Sequence, residues 1–83
     1  MAINRTVAQR VLDILGPKYY WDYEGDYCST LYTRIFFPKT VVKLRYVDKK
    51  FSLWTKDEEI ANKLEPLSAL GIIIYLAPYF YDE

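Results

Sequence analysis

The sequence predicts a small two-layer α+β domain, in which an antiparallel sheet of three to four strands carries two helices on one face. Three observations support this fold class. Apolar residues recur at helical spacing near both ends of the chain, the middle alternates with a period of two, and a β-branched run follows the second helical pattern. The predicted element order is therefore α-β-β-β-α-β. The 83 residues contain no repeat and no linker-like segment, so residues 1–83 are predicted to form a single domain.

The first helix is predicted from an apolar stripe that runs through residues 7–15. Asn4 precedes this stripe and is one predicted N-cap, because its side chain can accept a hydrogen bond from a backbone amide of the first turn. Thr6 with Gln9 has the spacing of a competing capping box, so a start two residues later stays open. Gly16 and Pro17 end the helix, since glycine readily adopts the left-handed cap conformation and proline cannot continue a helix.

Residues 18–27 combine aromatic and acidic side chains around Gly25, and two interpretations remain open. In the first, a short strand ends at Tyr23, and a turn at residues 24–26 leads into the next strand. In the second, the whole segment is an aromatic loop that folds onto the core.

Residues 28–55 alternate between two sets of side chains and predict three consecutive strands. The predicted strands comprise residues 28–37, 40–47 and 51–55. Short turns at residues 38–39 and 48–50 join them, which favours an antiparallel meander. The side chains predicted to face the helices are Leu31, Ile35, Phe37, Val42, Leu44, Phe51 and Leu53.

A second helix is predicted to begin at Thr55, because its hydroxyl and the Glu58 carboxylate have the spacing of a capping box. Pro66 disfavours helical conformation in the residue before it, so this helix is predicted to end or kink at Glu65. Residues 72–77 form a continuous, mainly β-branched run, which predicts a strand covered on both faces. A buried helical turn has the same pattern over so short a run, and that alternative stays open.

The sequence contains no histidine and one cysteine, which excludes histidine-based catalytic triads, histidine zinc sites and cysteine-rich metal sites. The three glycines are far apart, so they form no phosphate-binding loop. Cys28 is interpreted as a small apolar residue at a strand start and not as a nucleophile. Asp22, Glu24 and Asp26 lack the glycine and closing glutamate of a calcium loop and are interpreted as a solvated turn. We therefore expect a protein that is not an enzyme and that binds neither a cofactor nor a metal.

The net charge is zero, and no segment has the composition of a signal peptide or the length of an apolar membrane span. A single cysteine cannot form an internal disulfide and suits a reducing compartment. These features predict a soluble, cytoplasmic protein that does not insert into a membrane. Cations cluster within residues 34–56 and acids from residue 57 onward, and this asymmetry is suited to orienting a partner.

The side chains predicted to point away from the helices differ from those of an ordinary solvent-exposed sheet face. They include three aromatic rings and three cations on adjacent strands. Exposed apolar patches on small proteins usually mark a binding surface. The predicted partner-binding residues are Tyr32, Arg34, Phe36, Lys43, Arg45 and Trp54. Val41 is predicted to lie on the same face.

Three interpretations of this face remain open. As a protein interface, it would mediate self-association or dock on a larger protein and occlude it, because interface centres are rich in aromatic residues and arginine. Small accessory proteins, including virus-encoded ones, often act in this way. As a single-stranded nucleic-acid site, its rings would stack on bases and its cations would contact phosphates, although zero net charge weighs against this. In the third interpretation, residues 19–27 or the aromatic tail cover the face from within the chain.

Overall fold

The computed structural model describes residues 2–23, 28–35 and 37–77, and this part of the chain forms the small α+β domain that the sequence predicts. The elements in chain order are α1 (Ala2–Leu15), β1 (Tyr19–Tyr23), β2 (Cys28–Thr33), β3 (Thr40–Val47), β4 (Lys50–Thr55), α2 (Glu58–Leu64), a 3₁₀-helix (Glu65–Leu70) and β5 (Ile73–Leu76). The strands form one sheet in the order β1-β2-β3-β4-β5, with β1 to β4 antiparallel and β5 parallel to β4. The sheet therefore has five strands instead of the predicted three to four.

The aromatic segment forms a strand, which was one of its two predicted alternatives. Tyr19 pairs with Thr33 and Tyr23 pairs with Ser29, so β1 extends the sheet beside β2. Trp21 is buried and Asp22 is exposed, as expected for a strand with one covered face. The predicted turn at residues 24–26 lies outside the described residues.

Helix α1 begins at Ala2, so Asn4 and Thr6 both lie inside the helix and neither occupies the predicted N-cap position. The predicted end is confirmed, because Gly16 follows the helix with φ +94° and its N–H donates a 2.8 Å hydrogen bond back into the last turn. Trp21 anchors the helix to β1, since its buried Nε1–H donates to the carbonyl oxygen of Ala8 at 2.8 Å.

The hydrophobic core lies between the helices and one face of the sheet. Leu31, Val42, Leu44 and Leu53 have no exposed surface, in agreement with the predicted alternation. The helices contribute the buried side chains Val7, Ala8, Val11, Ile60, Ala61, Leu64 and Leu67. Removal of these apolar surfaces from water is the main favourable contribution to folding.

Ile35 and Phe37, which were predicted to face the helices, are exposed by 57% and 73%. The reason is that β2 ends at Thr33, four residues before the predicted strand end. The N–H of Thr33 donates to the carbonyl of Lys39 at 3.0 Å, and the Thr33 hydroxyl accepts from the N–H of Lys39 at 3.0 Å. These hydrogen bonds join the end of β2 to Lys39, so strand alternation no longer applies to Ile35 and Phe37.

A register shift between β2 and β3 also changes the predicted side of Val41. Leu31 pairs with Val42, whereas the next residue, Tyr32, pairs with Thr40. Val41 is therefore an extra residue opposite β2, as in a β-bulge. It packs against the core cluster instead of pointing away from the helices.

Helix α2 is capped by Asp57 and not by Thr55 as predicted. The Asp57 carboxylate accepts hydrogen bonds from the N–H groups of Glu59 at 2.9 Å and Ile60 at 3.4 Å. Thr55 is buried at the end of β4, where its hydroxyl donates to the carbonyl of Val41 at 2.9 Å. The predicted helix start is thus correct within two or three residues, but its capping residue is wrong.

The chain changes from α2 to the 3₁₀-helix at Glu65, beside Pro66, as the sequence predicts. Gly71 ends this helix with φ +82°. Because parallel neighbours cannot be joined by a tight turn, α2 and the 3₁₀-helix together provide the crossover from β4 to β5.

Strand β5 is an edge strand, although the sequence predicts a strand covered on both faces. Ile73, Tyr75 and Leu76 are exposed by 39%, 39% and 52%, and Ile74 is half-buried against the core. A short apolar run is compatible with either position in a sheet, so the sequence pattern does not separate an edge strand from a central one.

Candidate partner-binding face

The sheet face that points away from the helices is called the aromatic–basic face. Strand alternation assigns to it Tyr20, Asp22, Cys28, Thr30, Tyr32, Lys43, Arg45, Ser52, Trp54, Ile73 and Tyr75. None of these residues belongs to the core cluster beneath the helices. The face is therefore a second layer of side chains, separate from the core.

Two adjacent rows of paired side chains organise this face. The first row crosses all five strands and consists of Asp22, Thr30, Lys43, Trp54 and Tyr75. The second row consists of Cys28, Arg45, Ser52 and Ile73. Directly paired residues have Cβ atoms about 4.5–5.5 Å apart, so Lys43 lies beside Trp54. The two cations of β3 therefore occupy the middle of the face.

One aromatic pair lies on the β1–β2 side of these cations. Tyr20 and Tyr32 stack with their ring centroids 5.6 Å apart and an interplanar angle of 27°. The guanidinium of Arg34 lies 5.5 Å from the centroid of Tyr20, and its Nε–H donates to the carbonyl of Tyr19 at 3.2 Å. Arg34 has left β2, but this cation–π contact keeps its positive charge beside the tyrosine pair.

A second aromatic pair lies on the β4–β5 side. Trp54 and Tyr75 stack with a centroid distance of 4.3 Å and an interplanar angle of 23°. The Nε1–H of Trp54 donates to the hydroxyl of Ser52 at 2.9 Å, which orients the indole ring. A groove of about 370 Å³ runs beside this pair, and Arg45 and Lys50 contribute to its lining. Flat apolar surface and positive charge thus occur together at this end of the face.

The structure brings most of the predicted partner-binding residues together. Those on the aromatic–basic face are Tyr32, Lys43, Arg45 and Trp54. Arg34 was predicted to lie within β2, but it lies beyond the strand end and joins the face through its contact with Tyr20. Phe36 lies outside the described residues, so its contribution stays a prediction.

Tyr20 and Tyr75 are members of the face that the sequence analysis missed. Tyr20 is missed because residues 18–27 had two open interpretations, and Tyr75 because β5 was predicted to be covered on both sides. Tyr20 can be assigned from sequence once residues 19–23 are taken as a strand. Side chains then alternate between the two sheet faces, so Tyr20 lies on the face opposite to that of the buried Trp21. Tyr75 can be assigned to the face only when the parallel register is known, because that register pairs it with Trp54.

The side chains of this face are suited to binding a partner. Aromatic rings offer rigid apolar surface, while lysine and arginine offer hydrogen-bond donors and positive charge. In the described ranges, no three His, Cys, Asp or Glu side chains form a group suited to a metal ion. In the same ranges, no helix is long and apolar enough to cross a membrane.

Comparison with known proteins adds no assignment of function. No family model, curated protein or solved structure matches the chain. A functional assignment therefore depends on the geometry of the aromatic–basic face.

Proposed function

We propose that this protein is a non-catalytic interaction module that binds a protein partner through its aromatic–basic face. The observation that carries the proposal is the arrangement of two stacked aromatic pairs around the cations of β3. The partner is either a second copy of the chain or a larger protein whose own binding surface this face occludes. We further propose that the protein acts in the cytoplasm, where its single cysteine, Cys28, remains a thiol.

The composition of the face supports a protein partner. The centres of protein interfaces are enriched in tyrosine, tryptophan and arginine and depleted in acidic residues. The aromatic–basic face has four stacked rings, and Asp22 is the one acid among its assigned residues. The rings are also held in place by their mutual stacking, so little side-chain freedom is lost when a partner binds.

Single-stranded nucleic acid is the alternative partner, and one observation favours it. The rings of Trp54 and Tyr75 lie beside Lys43 and Arg45, which is the combination that stacks bases and contacts phosphates. The chain as a whole has no cationic surplus, since its 11 lysines and arginines are matched by 11 acids. Because phosphate binding usually depends on such a surplus, we rank this alternative second.

Site-specific photo-crosslinking tests the proposal. A photoreactive amino acid replaces Tyr32 on the face or, as a control, the exposed Lys63 on α2, and each protein is irradiated in an extract of the native source. We expect a discrete protein adduct from position 32 that the control position does not form. The adduct should disappear when Lys43→Glu and Arg45→Glu are introduced together, and it should persist when Lys63→Glu is introduced instead.

The adduct also discriminates between the partner classes. A mass of twice the chain indicates a second copy, a larger protein mass indicates a foreign partner, and an adduct that nuclease removes indicates nucleic acid. Identical adducts from positions 32 and 63, or none from position 32, would contradict an interaction through this face. A separate titration with mixed single-stranded oligonucleotides at low salt should leave the tryptophan fluorescence unchanged, whereas quenching that is absent when Trp21 is retained and Trp54 is replaced by Phe, and that weakens steeply with salt, would favour the nucleic-acid alternative.

A further inference from the structure

The outer edge of β5 presents backbone hydrogen-bonding groups and no charged side chain. Ala77 N–H donates to the carbonyl of Thr55 at 3.0 Å, so odd-numbered residues of this strand direct their backbone groups toward β4. Backbone groups alternate in direction along a strand, and therefore Ile74 and Leu76 direct their N–H and C=O groups outward. Among the described residues, no strand pairs with this edge.

Charge distinguishes this edge from the opposite edge of the sheet. Natural sheets protect their edges with charged side chains, proline, bulges or very short strands. The other edge strand, β1, carries Asp22, which a two-fold pairing would bring near its own copy. Strand β5 is short, with four residues, but it reads Ile-Ile-Tyr-Leu and contains no charge, proline or bulge, and Ile73, Tyr75 and Leu76 are exposed.

We propose that the β5 edge pairs with the same edge of a second copy of this chain, antiparallel and with the two-fold axis at Tyr75. In this register Ile74 lies opposite Leu76 of the second copy, and Leu76 lies opposite its Ile74. Both pairs use the outward-directed backbone groups and exchange their N–H···O=C hydrogen bonds reciprocally. Tyr75 then lies directly opposite Tyr75 of the second copy. This pair lies between the two hydrogen-bonded pairs and is a non-hydrogen-bonded pair, in which the Cα atoms are closer together.

The side chains of β5 favour a second copy over a foreign strand. A two-fold axis brings identical or nearby residues together, so like charges near the axis would repel, and β5 carries none. On the helix side, Ile74 of one copy would contact Leu76 of the other. On the aromatic–basic side, Tyr75 would meet its copy and extend the stack that begins at Trp54.

The size of the contact determines how strong the dimer is. A four-residue strand pair buries less area than the roughly 1,600 Å² of a standard interface, so we expect a dimer that dissociates on dilution. Edge pairing would join the two sheets into one continuous sheet, with the aromatic–basic faces of both copies on the same side. Such a doubled face would bind a repeated or symmetric partner more tightly through avidity. The pairing itself does not depend on the proposed function, because it involves the strand edge and not the bound partner.

Sedimentation equilibrium over a concentration series tests the pairing. We expect the wild-type chain to shift from monomer toward dimer as its concentration rises, and a monomer up to about 1 mM would overturn the proposal. Leu76→Pro removes an outward N–H, and proline is tolerated at such edge positions. This variant should be monomeric with an unchanged circular dichroism spectrum, whereas Leu76→Val, which keeps the N–H, should still dimerise. A Leu76→Pro protein that dimerises like the wild type would contradict edge pairing.

A charge-pair rescue tests the register independently of that variant. Tyr75→Lys and Tyr75→Glu each put like charges opposite one another across the two-fold axis, so each protein alone should be monomeric. An equal mixture should form a heterodimer, because lysine of one copy then faces glutamate of the other. If both variants are folded and their mixture stays monomeric, the register centred on Tyr75 is wrong.

Discussion

Trp54 and Tyr75 stack at a centroid distance of 4.3 Å across the parallel β4–β5 pair, on the sheet face opposite the helices. The two residues are 21 positions apart in the chain and are brought together by the crossover through α2. Their stack therefore links β5 to β4 with side chains as well as backbone hydrogen bonds. The same rings form one end of the aromatic–basic face, so sheet stability and the candidate binding surface share these residues.

A double-mutant cycle should detect this stack as a coupling energy. We expect Trp54→Ala and Tyr75→Ala to destabilise the protein less in combination than the sum of their separate effects, by about 0.5–1.5 kcal/mol. Urea unfolding of the four proteins measures the free energies. Trp54→Ala combined with Tyr20→Ala is the matched control, because these rings belong to different aromatic pairs on either side of β3. Equal coupling in both cycles would mean that the stack contributes no specific stability.

The hydrogen bond from Trp21 to Ala8 should be a major contact between α1 and the sheet. Trp21→Phe keeps an aromatic ring in the core but removes the Nε1–H donor of the buried 2.8 Å hydrogen bond. Lost hydrogen bonding and the smaller ring together should lower the free energy of unfolding by roughly 1–3 kcal/mol. Trp54→Phe is the comparison, because it removes a hydrogen bond from Trp54 Nε1–H to Ser52 that is only half-buried. We therefore expect Trp54→Phe to lower the free energy of unfolding by less than Trp21→Phe does. A smaller loss for Trp21→Phe than for Trp54→Phe would contradict this ranking.

Alternation predicted the two central strands well because the chain itself constrains their register. β3 and β4 are joined by a tight turn and pack one face against the helices, so a shift by one residue would turn Leu44 and Leu53 away from the core. Under these conditions a period-two pattern predicts both where the strand lies in the sequence and which side chains face the core. They also explain why Lys43, Arg45 and Trp54 were assigned to the correct face of the sheet.

The same pattern was uninformative where tertiary contacts decide the outcome. Residues 34–37 alternate like a strand, but the hydrogen bonds between Thr33 and Lys39 end β2 before them. Residues 73–76 have no alternation, and their edge position follows from the crossover connection, which no local pattern records. Tyr20 and Tyr75 could not be assigned to the site until those two long-range features were known.

The N-cap of α2 gives a third test, because it separates hydrogen bonding from charge. Asp57→Ala removes the acceptor for the N–H groups of Glu59 and Ile60 and should lower the free energy of unfolding by about 1 kcal/mol. Asp57→Asn keeps an acceptor oxygen without the charge and should cost much less, since asparagine is an equally good N-cap. Chemical denaturation measures both changes. If asparagine is as costly as alanine, the negative charge at the helix start matters more than the hydrogen bonds.

The turn between β3 and β4 gives a fourth prediction, in which a substitution should stabilise the protein. Val47 pairs with Lys50, so Asp48 and Lys49 form a two-residue hairpin loop. Both have positive φ, 53° and 64°, which is the conformation of a type I′ turn. Aspartate tolerates this conformation, whereas lysine is strained in it. Lys49→Gly should therefore raise the free energy of unfolding by about 1 kcal/mol.

A neighbouring substitution controls for the general effect of glycine and of a lost positive charge. Lys50→Gly removes the same charge one residue later, within β4, where glycine weakens a strand. We expect it to lower the midpoint of thermal unfolding, while Lys49→Gly raises it. Both residues are exposed, so neither change creates a cavity in the core. The opposite signs follow from backbone conformation alone, and a loss of stability in both proteins would show that the positive φ of Lys49 carries no appreciable strain.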